Sequence, residues 1–420
     1  MCEKNFVAPT YKYTEPFFVR GKGSYVFDVN GKRYLDISCG QFSAVLGHSN
    51  ESVKKMLCKS ADELIHLSTT VISKNVVDAS CALHERMPGM DSRILLLSTG
   101  AEANEACLRY AKNMSGNKPG VVSFIEGYHG LTHGTEGYSI NRKWVKPPLN
   151  YSFGVHVPKI VGAKSIDEEY KKTIDEFKIV VEQNKDVIAC ALFEPIISNG
   201  GLIYPEKQFW KEIRKICDEN GIFLVFDECQ TGFGRTGTWF YYEQLECVPD
   251  MLVSAKAMGL GFPVSMVAFN GNKFKNDMFK MNHFSSHQNE PFSAELVLTG
   301  IEVIEKENLL NNIVSMGDYL IEQLEILSFK FPIIKFPRGK GLICGFDLDL
   351  YDLSPQEVIA RADKLVEIAR EKGLLLQVPN YGATVRILPA YNVTNQEIDE
   401  FITILGESLE SLGLVGYKVK

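Results

Sequence analysis

The chain has 420 residues, 45% of them hydrophobic and 23% charged, with a formal net charge of −7. That is the make-up of a soluble globular protein too long for one compact core, so two domains or one large α/β unit are expected. The charge is spread without a basic stripe, which argues against nucleic acid as a partner, and no apolar run approaches the roughly 18–20 residues of a membrane span.

In chain order, the first 50 residues contain GSYVFDVNGKRYLDI, in which Asn30-Gly31 separates two alternating strands as a hairpin turn would. From about 51 to 305, helical stretches alternate with short apolar runs at 94–97, 121–124, 187–193, 222–226, 251–253 and 265–269. This rhythm predicts βαβ units and a mainly parallel sheet covered on both faces. From 306 to 420 the pattern gives a helix over 307–331, strands around 341–348, an amphipathic helix over 354–372 and a last helix after Thr394. That is a smaller α+β domain. The ten cysteines are scattered with no CxxC or CxH spacing. They read as reduced, buried thiols of a cytoplasmic protein without a metal site, and the first residues show no signal-peptide core.

One stretch carries chemistry. The apolar run 222–226 delivers Asp227 just before a glycine-rich loop, Gly232 to Gly237, the position of a ligand-binding carboxylate in an open α/β sheet. The next run, 251–253, delivers Lys256 beside Gly259-Leu260-Gly261. An acid and a lysine at the ends of successive strands are the two groups that pyridoxal phosphate needs. The acid keeps the pyridine nitrogen protonated, and the lysine forms the Schiff base. Alone, the pair is only suggestive, and surface residues in loops are the plainer reading.

The whole string, FDECQTGFGRTGTWFYYEQLECVPDMLVSAKAMGLGFPVS, closely resembles the class III (ornithine and 4-aminobutyrate type) aminotransferases of the fold-type I pyridoxal-phosphate enzymes. The resemblance covers nearly the whole chain. It implies an α/β fold with an amino-terminal segment (1–50) packing with the small domain, a large, mostly parallel-sheet cofactor domain (51–305) and a small α+β domain (306–420). It also implies a homodimer with shared sites, acting on an amino acid and a 2-oxo acid.

The same resemblance distributes roles along the chain. Ser98-Thr99-Gly100-Ala101, opening a helix in LLLSTGAEANEACLRYAK, would bind the cofactor phosphate through Thr99, Gly100 and Ala101, although a capping turn looks the same in sequence. Tyr128 would stack on the ring with His129 beside it, the plainer alternative for Tyr128 being a core aromatic. Glu194, otherwise a surface acid before a proline, would lie under the cofactor. Gln230 would bond the 3′-oxygen, and Lys256 would shuttle the proton between Cα and C4′. Ser286 would complete the partner subunit's phosphate cradle where the family has threonine. Arg386, in VRILP, would clamp the substrate carboxylate unless it is an ordinary strand arginine.

Leu35 to His48, LLSTGAEANEA and SHQNEP come nearest to the dialkylglycine decarboxylase branch. There, Gln41's counterpart reaches the group that leaves. Tyr128 replaces a tryptophan of that branch and Asn199 replaces a serine near the substrate carboxylate. Leu67, Thr69, Ser286, Gln288 and Glu290 fall on that branch's alkali-ion positions, with glutamate for aspartate. The expectation is therefore transamination. Decarboxylation-dependent transamination of a 2,2-dialkylglycine is the alternative, and an inactive cofactor-binding protein is the reading from another class.

Overall fold

The computed structural model describes residues 16–139, 151–274, 283–350, 353–378 and 384–413. Its centre is a seven-stranded sheet. The strands of the chain are β1 (Phe18–Lys22), β2 (Tyr25–Asp28), β3 (Arg33–Asp36), β4 (Ser92–Leu97), β5 (Gly120–Phe124), β6 (Ser152–Val155) and β7 (Ile188–Phe193). They continue with β8 (Phe223–Glu228), β9 (Met251–Ser254), β10 (Ser265–Asn270), β11 (Ile334–Lys340), β12 (Ile343–Leu348), β13 (Leu374–Leu375) and β14 (Thr384–Ile387). The large sheet has the order β4-β10-β9-β8-β7-β5-β6. The pairs from β9 through β6 are parallel, and β10 alone runs antiparallel, against both β4 and β9.

Both faces of this sheet are buried, as its near-continuous apolar strands require. In β8, Leu224 and Phe226 enter one core cluster and Val225 enters the other. Helices Gly100–Met114, Ile166–Asn184 and Lys207–Asn220 connect successive parallel strands. In the last, Phe209, Trp210, Ile213, Ile216 and Cys217 are buried, an apolar stripe at helical spacing. Left-handed Gly221 (φ 63°) then ends the helix and feeds β8.

The Asn30-Gly31 hairpin forms as expected, pairing Tyr25 with Leu35 and Phe27 with Arg33. Gly31 takes φ 81°, in the left-handed region that glycine enters freely. Its sheet gains a fourth strand from far along the chain, with β13 running parallel to β3. A third sheet, β11-β12-β14, is antiparallel. Helices Pro355–Glu371 and Asn395–Ser411 each begin with a capping box, Ser354 with Glu357 and Thr394 with Glu397. Among the described residues no helix is long and apolar enough to cross a membrane.

Candidate active site

The carboxyl ends of β4, β5, β7, β8 and β9 face one another around two adjoining cavities of ≈ 740 and ≈ 300 Å³, which share Tyr128, Asp227, Cys229 and Lys256 in their walls. This is where an open parallel sheet offers its ligand crevice, because the loops after neighbouring strands diverge there.

Asp227 is the last residue but one of β8 and is 3% exposed. Its Oδ2 accepts hydrogen bonds from His129 Nδ1 and Asn104 Nδ2, both at 2.8 Å, and its Oδ1 accepts one from the Cys229 backbone N–H at 3.0 Å. Burial alone would raise its pKa. The bonds and attraction of His129, then the bonds from Cys229 and Asn104, outweigh burial and hold the carboxyl below its ordinary range. Lys256 opens a short turn after β9 with φ 43°. A non-glycine side chain rarely adopts that backbone, and such strain collects at working positions.

The smaller cavity is walled by Thr99, Gly100, Ala101, His129 and Gly130. Thr99 caps the Gly100–Met114 helix, its hydroxyl accepting the Glu102 N–H at 3.3 Å, while its carbonyl accepts the Ser265 hydroxyl at 2.8 Å. A Cβ on Gly100 would lie 2.6 Å from Cys229 Sγ, so only glycine lets this turn approach β8. The result is a helix N-terminus that lines the smaller cavity, which suits an anion.

The larger cavity holds Gln41, Tyr128, Glu194, Asn199, Gln230 and Arg386. Glu194 accepts the Tyr128 N–H at 2.7 Å, and burial pushes its carboxyl up to about 7 against the pull of His129. Gln230 Nε2 is buried without a hydrogen-bond partner among the described residues. Arg386 projects from β14 and is 7% exposed. Its Nη1 donates to Ser198 Oγ at 3.2 Å, it lies 5.0 Å from the Phe42 ring, and its Nε has no partner among the described residues. No carboxylate among the described residues forms an ion pair with it. Gln41 sits in a turn whose neighbours Cys39 (φ 38°), Gly40 (φ 72°) and Phe42 (φ 66°) are all left-handed. Gln377 Nε2 donates to Gln41 Oε1 at 3.3 Å and to the Gly40 carbonyl at 3.1 Å.

Ser286 is exposed and does not line either cavity. Leu67, Thr69, Gln288 and Glu290 also lie outside both. Glu290 Oε1 takes hydrogen bonds from Nδ1 of His66 (2.5 Å) and of His287 (2.9 Å), while its Oε2 is buried without a partner among the described residues.

Sequence reasoning missed Asn104, Ser198, Phe42, Cys229 and Gln377 at this site. The spacing from Gly100 and Ala101 to Asn104 is the one available signal, since positions three and four apart share a helix face.

The sequence profile described as Aminotransferase class-III matches residues 6–409. The acetylornithine aminotransferase of Caldanaerobacter subterraneus is 30% identical over 416 residues, covering 98% of this chain and 98% of its own. The taurine–pyruvate aminotransferase of Bilophila wadsworthia is 30% identical over 425 residues, covering 93% of this chain and 92% of its own. Among solved structures, a PLP-bound amine transaminase from an uncultivated Pseudomonas species superimposes with a TM-score of 0.87 at 26% identity, covering 97% of this chain and 99% of that one. With a profile match over nearly its whole length and relatives this similar end to end, the chain belongs to the class III aminotransferases, enzymes that depend on pyridoxal phosphate.

Proposed function

We propose that the two cavities hold pyridoxal phosphate and substrate, and that the amino donor is an amino acid whose α-carboxylate is bound by Arg386. The observation that carries this reading is the buried guanidinium itself. A cation that has, among the described residues, no carboxylate partner and an unpartnered Nε, in the same cavity as Lys256, is costly unless an anion joins it.

The residues fit the cofactor. Thr99, Gly100 and Ala101 would hold its phosphate at the helix N-terminus, Tyr128 would lie on its ring with His129 beside it, and ionised Asp227 would hold its ring nitrogen protonated. Gln230 Nε2, without a partner among the described residues, is a ready donor for its 3′-oxygen, and Lys256 would carry it. Once bound, the cofactor supplies an electron sink that makes the Cα–H bond acidic. The chain's own residues do the remainder. Arg386 would fix the carboxylate in a bidentate grip, and Gln41 and Asn199 would face the rest of the substrate. Lys256 Nζ, freed by the incoming amine, would take the proton from Cα. Buried Glu194 would balance the cationic side of the site.

We also propose a homodimer in which Ser286 completes the site of the second copy. Ser286's absence from its own cavities supports this. So do Ile65, Val71, Ile72 and Phe284, which are 53–70% exposed on segments that the His66–Glu290–His287 contacts tie together. A division into segments at about residues 50 and 305 is supported by the three separate sheets. A reducing compartment such as the cytoplasm is supported by the nine cysteines among the described residues, all free.

The test is a screen of amino donors with pyruvate as acceptor, monitored for both alanine and carbon dioxide. Alanine without carbon dioxide is expected. Carbon dioxide release from 2-aminoisobutyrate, with little exchange from ordinary α-amino acids, would overturn the reading in favour of decarboxylation.

A further inference from the structure

Asn104 lies in the middle of the Gly100–Met114 helix and is 1% exposed. Asparagine is a poor choice there for stability. It is a weaker helix former than alanine, and its Oδ1 is buried without a partner among the described residues, a state that costs free energy. Its amide nitrogen, in contrast, is fully used. One N–H goes to Asp227 Oδ2 at 2.8 Å and the other to the His129 carbonyl at 3.0 Å.

Three separate segments meet at this one nitrogen. The helix that carries Asn104 also carries Gly100 and Ala101 one turn earlier, on the same face. The acid at the end of β8 lies 123 residues further along the chain. The loop after β5 presents Tyr128 and His129, and His129 donates to the same Asp227 oxygen. With two bonds on Oδ2 and the Cys229 N–H on Oδ1, three donors from separate segments hold the Asp227 carboxylate.

We propose that Asn104 is a positioning residue that locks Asp227 in its ionised, cofactor-facing orientation and ties it to the phosphate-binding turn. The inference rests on the reading of Asp227 as the partner of the cofactor's ring nitrogen. In this arrangement the phosphate end and the ring-nitrogen end of the site move as one body. Any slack between them would let the ring nitrogen lose its proton and weaken the electron sink. The titratable groups around Asp227 are His129 on the β5 loop, Glu194 after β7, Cys229 and Lys256 after β8 and β9, and Cys107 on Asn104's own helix.

The experiment uses the holoenzyme with Asn104→Ala, the isosteric Asn104→Asp, and Asp227→Asn, each checked for folding by circular dichroism. The readouts are kcat, donor KM and the pH midpoint of the bound cofactor's visible absorbance. Asn104→Ala is expected to lower kcat about 10-fold with KM within about 3-fold, and to raise the absorbance midpoint by about one pH unit. Asn104→Asp keeps the shape but sets a carboxylate against Asp227, so it should move the midpoint further the same way. If either folded Asn104 variant keeps kcat within about twofold and an unmoved midpoint while Asp227→Asn changes both, Asn104 has no positioning role. If Asp227→Asn also changes neither, the underlying reading of Asp227 fails with it.

Discussion

Replacing Arg386 with Gln should lower activity and yet leave the apoenzyme as stable or more stable, because one cause, burial of an unpaired charge, drives both. Burial pushes the Arg386 guanidinium down to about 10, with partial relief from Glu194, against an ordinary value of about 12.5. At ~1.36 kcal/mol per pH unit, the buried charge costs the fold roughly 3 kcal/mol. A base with its folded pKa below its unfolded one destabilises the fold throughout the acid and neutral range. The penalty fades only as pH rises through about 10. Gln removes the charge and keeps an amide for Ser198 Oγ, so the melting temperature at pH 7 should hold or rise. Substrate binding runs the other way. Truncating one partner of a buried, hydrogen-bonded charge pair costs about 2–5 kcal/mol, which is a loss of roughly 30- to 5000-fold in kcat/KM. The assay compares kcat/KM for an α-amino acid and for an amine without a carboxylate, alongside thermal unfolding. A loss below about 3-fold for the amino acid, or an equal loss for both donors, would refute the assignment.

Lys256→Ala should abolish turnover and borohydride-reducible attachment of the cofactor. A reducible adduct on another lysine would show that Lys256 does not carry it. Ser286→Ala should speed loss of cofactor on dialysis more than it lowers kcat, and a fully active monomer in sedimentation would rule out a shared site. Glu194→Gln keeps the acceptor for the Tyr128 N–H but removes a carboxyl that burial holds up to about 7, above its ordinary value of about 4.3. An acid raised in this way contributes stability below its unfolded pKa and loses it as pH rises toward the folded one. The apoenzyme's stability deficit relative to the Gln variant should therefore grow by roughly 3 kcal/mol between pH 4.5 and pH 7.5. A pH-independent difference in denaturant unfolding would refute this.

Asp227 and Lys256 are legible in the sequence because each follows a short apolar run, which marks a buried strand close to where it gives way to a loop. The βαβ rhythm, the Asn30-Gly31 hairpin and the helices that begin at Ser354 and after Thr394 are local for the same reason. Propensity, turn chemistry and period act over a few residues and leave their marks there. The order of the strands does not. Nothing in the run at 265–269 says that β10 inserts antiparallel between β4 and β9, or that β13 returns to pair with β3. Asn104 reads as an ordinary helical residue until the fold sets it against Asp227, and Arg386 meets Ser198 across 188 positions. Whether that arginine is paired or bare depends on what surrounds it in space. A desolvated charge, a clamped carboxylate and an acid raised by burial are properties of packing, which sequence neighbours alone do not determine.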